Sequence, residues 1–115
     1  MVPKLLGATT RRTRPDIIET VRSLAIANSA AAIAGAIRAL MTRPDSTPLL
    51  SSIHCPALVV VGDEDIVTPP PLAEQLHQGI SGSTLSVIPG AGHLSNIEQP
   101  DAFNAAVTHF LEHRV

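Results

Sequence analysis

The sequence predicts a mixed α/β fold in which a helical first half is followed by a strand, a helix, a second strand and a final helix. Apolar residues recur at helical spacing over much of residues 1–42. The runs ALVVV and TLSVI are short and rich in aliphatic and β-branched residues, which favours strands. A helix between two strands is typical of a right-handed parallel crossover, so the two strands are expected to be parallel neighbours.

The composition fits one domain with an aliphatic core and excludes several classes of protein. The chain has 115 residues, of which 44% are hydrophobic, but it has no Trp or Tyr and only two Phe. A net charge of −2 gives no electrostatic footprint for nucleic acid. No apolar run reaches the ~20 residues of a membrane span, and the N-terminus does not resemble a secretion signal. We therefore expect a cytoplasmic protein that binds neither nucleic acid nor membrane.

The helical half divides into two predicted helices. The first begins near Pro15, where Thr13 and Asp16 form a capping arrangement. Its apolar stripe consists of Ile17, Val21, Leu24 and Ala25. Asn28 and Ser29 then mark a break or a new cap. The second helix is alanine-rich and ends before the loop RPDSTP. Its apolar face consists of Ile33, Ile37, Leu40 and Met41.

The second half alternates strands and helices. ALVVV, at residues 57–61, is apolar throughout, as expected of a strand covered on both faces. PPPLAEQLHQGI predicts a short helix, and Thr84 to Ile88 predict the second strand. Residues 99–115 predict an amphipathic helix with a core stripe of Phe103, Val107, Phe110 and Leu111. Two parallel strands alone leave both sheet edges unpaired, so this half is expected to be the end of a larger sheet.

An aspartate and a histidine follow the two predicted strands. Asp65 lies in GDED after the first strand, and His93 lies in GAGH after the second. Ligands and reactive groups gather at the carboxyl ends of parallel strands, so these side chains are expected to lie together. A carboxylate beside an imidazole fixes its tautomer and stabilises the imidazolium formed when the ring takes a proton. Gly90 and Gly92 are expected to permit the sharp turn that points the ring into a site.

From about residue 43 onward the chain resembles the C-terminal part of an α/β hydrolase. In that family the penultimate strand ends in Gly-x-x-Asp before Thr-Pro, and the last strand precedes Gly-His and Glu-x-Pro. The matching residues are Gly62, Asp65, Thr68, Pro69, Gly92, His93, Glu98 and Pro100. The resemblance, which is close to small esterases and to enol-lactonase-like members, implies that Asp65 is the triad acid and His93 the general base. It also implies that residues 1–42 are a helical cap-like segment and residues 43–115 the last β-α-β-α part of the core.

The sequence departs from the family at the nucleophile. It contains no Gly-x-Ser-x-Gly elbow. GISGS, at residues 79–83, lacks the final glycine and precedes a strand, so Ser81 is not predicted to be a nucleophile. The family's oxyanion-hole donors, which lie beside the elbow and after an early strand, are also absent. We expect the nucleophile to lie in polypeptide that precedes this chain, and the chain alone to show little activity.

Two functions stay open at this point. The first is the C-terminal portion of a serine-type hydrolase that acts on a small ester or lactone, completed by an N-terminal half and needing no cofactor. The second is a non-catalytic domain derived from a hydrolase, which covers its open sheet edges by homo-oligomerisation or by binding a partner chain. The molecular mass in dilute solution distinguishes the second from a stable monomer.

The remaining polar residues favour structural interpretations. Cys55 has no partner for an internal disulfide and is expected to be a buried, inert thiol. His77 is expected on a solvated helix face, and Glu98 is expected to make a structural bond near the start of the last helix. His109 and His113 lie one helical turn apart, but no third ligand accompanies them, so no metal site is predicted.

Overall fold

The computed structural model describes residues 2–114 and has the predicted order of a helical first half followed by strand, helix, strand and helix. The elements are α1 (Val2–Leu5), α2 (Ala8–Thr13), α3 (Pro15–Ile26), α4 (Ala30–Thr42), β1 (Leu58–Gly62), α5 (Pro70–Gly79), β2 (Thr84–Ile88), α6 (Ser95–Glu98) and α7 (Pro100–Arg114). A 3₁₀ helix, Thr47–Ser52, precedes β1. The short helices α1, α2 and α6 have no counterpart in the prediction.

β1 and β2 form a two-stranded parallel sheet, in register from Leu58 opposite Thr84 to Gly62 opposite Ile88. β2 has the predicted bounds, whereas β1 begins and ends one residue later than the run ALVVV. α5 connects the two strands, as the order of elements predicts. The carboxyl ends of both strands therefore lie at the same edge of the sheet.

One edge of β1 has no strand partner among residues 2–114. The Ala57 carbonyl accepts a hydrogen bond from the Thr84 N–H at 2.9 Å. Successive residues of a parallel strand bond alternately to the two sides, so the backbone groups of Leu58 and Val60 face away from β2. The unpaired edge that the sequence predicts is thus present along the apolar strand β1.

Two small clusters of buried side chains form the core. The first consists of Leu6, Ile17 and Val21. The second consists of Val59, Val61 and Ala73, and it lies between β1 and α5. Leu94 and Ile97, which follow β2 in the chain, pack against the first cluster. The first cluster therefore joins the N-terminal helices to the part of the chain that carries His93.

Residues 5–10, here called the anchor segment, lie directly against the loop after β2. Gly7 and Gly92 approach so closely that a Cβ added to Gly92 would overlap the backbone of Gly7. Gly90 has a φ of 69°, in the left-handed region that glycine favours. The expected turn is therefore confirmed for Gly90, whereas Gly92 is required for a different reason, the close approach of two backbones.

Helix α4 has no buried residue. Its predicted apolar face is exposed and consists of Ile33, Ile37, Leu40 and Met41. The Ser29 side chain caps the helix by accepting a hydrogen bond from the Ala32 N–H at 3.0 Å, which confirms the break at this point. Within residues 2–114 no single helix is long and apolar enough to cross a membrane; α3 and α4 meet the requirement only as a pair bent by 95°.

Four local expectations are wrong. Arg14, not Thr13, occupies the N-cap of α3, and no side chain caps that helix. Leu24 and Leu111 were expected in apolar stripes but are 56% and 53% exposed. Cys55 is exposed rather than buried. Within residues 2–114, the side chains of Leu24, Leu111 and Cys55 therefore face outward from α3, α7 and the loop before β1.

The contact between the anchor segment and the loop after β2 predicts a contrast between two glycine substitutions. Gly92→Ala is expected to lower the free energy of unfolding by about 1–3 kcal/mol, because the new methyl group must separate two backbones. Gly35→Ala, in α4 where nothing lies within 4 Å of a new Cβ, is expected to raise it by about 0.5–1 kcal/mol through helix propensity. Urea unfolding followed by circular dichroism measures both; equal effects would contradict the close-contact explanation.

Candidate active site

Asp65 is held in a tight turn just beyond the end of β1. Its Oδ1 accepts hydrogen bonds from the backbone N–H groups of Val67 and Thr68, at 2.9 and 3.0 Å. Its Oδ2 accepts one from the Thr68 hydroxyl at 3.1 Å. The side chain is 5% exposed. Local donors thus fix the carboxylate, and the Thr-Pro that follows it in the sequence supplies two of those donors.

The environment of Asp65 favours its ionised form. Burial of the carboxyl group by itself would raise the pKa, but this effect is outweighed by the hydrogen bonds from the Thr68 backbone, His93 and the Val67 backbone. Together these groups hold the pKa of Asp65 below its ordinary value of 3.8. Asp65 is therefore a carboxylate at neutral pH and presents an acceptor to the neighbouring ring.

His93 lies beside this carboxylate. Its Nδ1 is 3.0 Å from Asp65 Oδ2 and 3.3 Å from the Thr68 hydroxyl oxygen. Because a carboxylate only accepts, Nδ1 carries the proton, and Nε2 of the neutral ring is left with a free lone pair. The side chain of His93 is 34% exposed, so the ring is reachable from outside. The structure therefore brings together the two residues that the sequence singled out.

Backbone contacts lock the two loops to each other. The Gly90 N–H donates to Asp63 Oδ1 at 2.9 Å, and the Glu64 N–H donates to the Ala91 carbonyl at 2.8 Å. The left-handed turn at Gly90 directs the chain back across the end of β1. Asp63 and Glu64, the other acids of GDED, thus support the loops rather than contact the His93 ring.

A cavity of about 420 Å³ lies beside the pair, within the size range of small-molecule sites. Asp65, Thr68 and His93 line it on the polar side. Its apolar wall comes from β1 and α5 and consists of Val59, Val60, Val61, Leu72, Ala73 and Leu76. One wall of the cavity is therefore the same strand whose outer edge is unpaired.

No serine of the described chain forms a nucleophile–base pair with His93. Ser81 lines a different cavity, together with His54 and Cys55, which agrees with its exclusion from the sequence. A histidine–serine contact does occur elsewhere, between His77 Nδ1 and the Ser83 hydroxyl, at 2.8 Å. That hydroxyl donates to the His77 carbonyl, so it ties the end of α5 to the chain before β2. His77 was expected on a solvated face and is instead half-buried and bonded.

The C-terminal histidines show no metal site among the residues that the structure describes. The rings of His109 and His113 stack with centroids 4.1 Å apart. His113 Nδ1 bonds to the His109 carbonyl at 2.7 Å, which uses one ring nitrogen within the helix. No group of three potential ligands occurs in residues 2–114.

Glu98 is the residue whose role the sequence underestimated. It is 1% exposed, and its two oxygens accept four hydrogen bonds rather than one. The donors are the backbone N–H groups of Gly7, Gly92 and Leu94 and the Thr10 hydroxyl. Its spacing before Pro100 in Glu-x-Pro was a signal of its importance, but the long-range partners leave no local pattern.

Parallel strands that each lead into a loop bearing one member of an aspartate–histidine pair define the C-terminal part of an α/β-hydrolase fold. The model of the alpha/beta hydrolase family matches residues 3–106. The chain belongs to that family.

Several proteins that are similar to this chain are named as esterases or lactonases. The chain is 40% identical over 93 residues to 3-oxoadipate enol-lactonase 2 of Acinetobacter baylyi, covering 81% of this chain and 34% of the lactonase. A thermophilic esterase from Thermogutta terrifontis superposes with a TM-score of 0.93 at 38% identity, over 97% of this chain and 41% of the esterase. The enol-lactonase from Burkholderia xenovorans LB400 superposes with a TM-score of 0.88 at 28% identity, over 97% and 42% of the two chains. The chain thus spans about two fifths or less of each relative.

The hydrogen bonds of Asp65 predict a pH-dependent contribution to stability. Because its folded-state pKa lies below the ordinary 3.8, the ionised carboxylate stabilises the fold above that pH, and this contribution is lost as the pH falls through the folded-state pKa. Asp65→Asn is therefore expected to cost stability at neutral pH, by an amount that shrinks on acidification below about pH 4. Urea unfolding of both proteins between neutral pH and about pH 3 measures the difference.

The matched control for that experiment is Glu74→Gln, which changes an exposed carboxylate on α5. A stability difference between the Asp65 variant and the parent that stays constant across the whole pH range would contradict the proposed stabilisation by ionised Asp65.

Proposed function

We propose that this chain is the C-terminal portion of a serine-type α/β hydrolase that cleaves a small ester or lactone. The observation that carries the proposal is the hydrogen bond between His93 Nδ1 and Asp65 Oδ2, at 3.0 Å, beside a cavity at the carboxyl edge of the sheet. The names of the similar proteins support esters and lactones as the substrate class. Residues 1–42 are proposed to belong to the cap of the complete enzyme.

In this proposal each residue of the pair has one role. His93 Nε2 takes the proton of a serine hydroxyl, and the serine oxygen attacks the carbonyl carbon of the substrate. Asp65 keeps the ring in the Nδ1–H tautomer and stabilises the imidazolium that forms. The imidazolium then protonates the leaving oxygen, and a water molecule activated by the same nitrogen releases the acyl group.

The sequence of this chain lacks the nucleophile and the oxyanion hole that such a reaction requires. Its sequence contains no Gly-x-Ser-x-Gly elbow, whose serine would be the nucleophile and whose backbone would help form the oxyanion hole. Removing one oxyanion-hole donor alone costs about 10²–10³ in rate. We therefore expect the isolated chain to hydrolyse no activated ester above background and to resist labelling by a serine-reactive phosphonate.

The catalytic roles can be tested in a chimera. The part of the Thermogutta terrifontis esterase that precedes the matched region would be fused to this chain, since 38% identity and a TM-score of 0.93 support a compatible junction. We expect this chimera to hydrolyse p-nitrophenyl esters. His93→Ala and Asp65→Asn are each expected to lower its kcat by about 10⁴-fold or more, as loss of a triad member does elsewhere.

The control in the same chimera is His54→Ala. His54 is exposed before β1, at the end of the strand opposite Asp65. Its loss is expected to leave kcat within a factor of about two, because nothing links it to the proton transfer. A chimera that stays active without His93 would refute the assignment of the general base.

A second candidate function is a domain that pairs through its sheet edge. It is favoured by the unpaired edge of β1, where the backbone groups of Leu58 and Val60 face outward and no charged side chain or proline interrupts the strand. The exposed apolar face of α4 adds further unpartnered surface. Such a chain would associate with a second copy rather than with a substrate.

Sedimentation equilibrium tests this alternative. Pairing through β1 predicts a dimer of the 12.0 kDa chain that Val60→Pro converts to a monomer, because proline removes an outward N–H and leaves the bonds to β2 intact. Val87→Pro is the control, since Val87 faces the outer side of β2 by the same alternation. A parent chain that is monomeric at all concentrations would rule out this function.

A further inference from the structure

We propose that Glu98 is a positioning residue that holds the backbone of His93 in place and ties that position to the anchor segment, residues 5–10. The proposal starts from how the carboxylate divides its hydrogen bonds. Oε2 accepts from the N–H groups of Gly92 and Leu94, at 3.0 and 3.1 Å. These two residues flank His93 on either side. Glu98 therefore binds the backbone immediately before and immediately after His93.

The other oxygen of the same carboxylate faces the anchor segment. Oε1 accepts from the Gly7 N–H and from the Thr10 hydroxyl, each at 2.7 Å. The remaining N–H of the stretch, that of His93 itself, donates to the Leu5 carbonyl at 2.9 Å. Three consecutive N–H groups, those of residues 92–94, are thus fixed, two by Glu98 and one by the anchor segment.

Because Glu98 is buried, each of its hydrogen bonds must be made by a protein group. Glu98 is 1% exposed, so water cannot replace a lost partner, and Thr10 beside it is 2% exposed. An ionised carboxylate is suited to this place because each oxygen can accept two hydrogen bonds and neither needs to donate. A carboxamide offers only one such oxygen, so glutamine leaves one pair of donors facing an NH₂ group.

Asp65 and Glu98 thus act on different parts of the same histidine. Asp65 sets the tautomer and rotation of the ring through Nδ1. Glu98 fixes the position of the His93 Cα, because it binds the backbone N–H groups of the residues on both sides. Because one carboxylate binds both the anchor segment and the neighbours of His93, a displacement of the anchor segment would be transmitted to the backbone of His93.

The consequence for hydrolysis rests on the proposed function, but the positioning itself can be measured on the chain alone. In the parent, the Nδ1–H proton shared with Asp65 is expected to give a resolved signal in a one-bond ¹H–¹⁵N spectrum, and a long-range ¹H–¹⁵N spectrum of the His93 ring is expected to report the Nδ1–H tautomer. In Glu98→Gln this signal is expected to broaden or disappear, and the ring nitrogens are expected to report mixed tautomers. Circular dichroism at the same temperature verifies that each protein is folded.

The matched control is Glu64→Gln. Glu64 binds the same anchor segment, through the N–H and hydroxyl of Thr9 at 2.8 and 2.6 Å, and its side chain bonds to neither neighbour of His93. This variant is expected to lose stability and keep the His93 signal. Loss of the signal in both variants, or its retention in folded Glu98→Gln, would overturn the proposal in favour of a purely structural role.

A milder variant covers the case in which Glu98→Gln does not fold. Thr10→Val preserves the shape of the side chain and removes one of the four donors to Glu98. It is expected to accelerate hydrogen exchange at the N–H groups of Gly92 and Leu94 more than at those of α5. Uniform acceleration across the chain would mean only a global loss of stability and would contradict the positioning role.

In the active chimera, Glu98→Gln is expected to lower kcat by about 10–100-fold with little change in KM, because misplacement of the base affects the transition state more than substrate binding. A change confined to KM would contradict the positioning role. An inactive chimera would count against the proposed hydrolase, whereas the spectroscopic result on the chain alone would still decide the role of Glu98.

Discussion

The parallel pairing of β1 with β2 is the constraint on which the rest of the site depends. It places the ends of two strands side by side, so that residues 28 positions apart in the sequence meet at 3.0 Å. A slip of one residue in this register would move one loop by about 3.3 Å, more than the hydrogen bond between Asp65 and His93 tolerates. The hydrogen bonds between the two loops add little to the positioning of the pair unless the strands are already aligned.

Features that follow from local chain chemistry could be predicted from the sequence. The apolar run before Gly62 has the composition of a buried parallel strand, TLSVI has the composition of a short strand, and Ser29 has the side chain that caps a helix. The proximity of Asp65 and His93 could also be predicted, because topology alone brings the ends of neighbouring parallel strands together.

Features that depend on distant partners could not be predicted. Cys55 and Leu24 are apolar enough to be buried, but both are exposed, because burial depends on which distant elements pack over a side chain. The packing of Gly92 against Gly7 has no signature in the neighbouring residues, because its partner lies near the other end of the chain. The role of Glu98 could not be predicted for the same reason, since two of its four hydrogen-bond donors belong to residues 88 and 91 positions away in the sequence.

The contact between Gly7 and Glu98 also bears on how the molecule folds. The two residues are 91 positions apart in a chain of 115 residues. Contacts between residues so distant in sequence are slow to form, because the entropy lost on closing the loop must be overcome first. The strand–helix–strand unit can assemble from nearer contacts. We therefore expect the backbone around His93 to acquire its final geometry after the sheet that carries it.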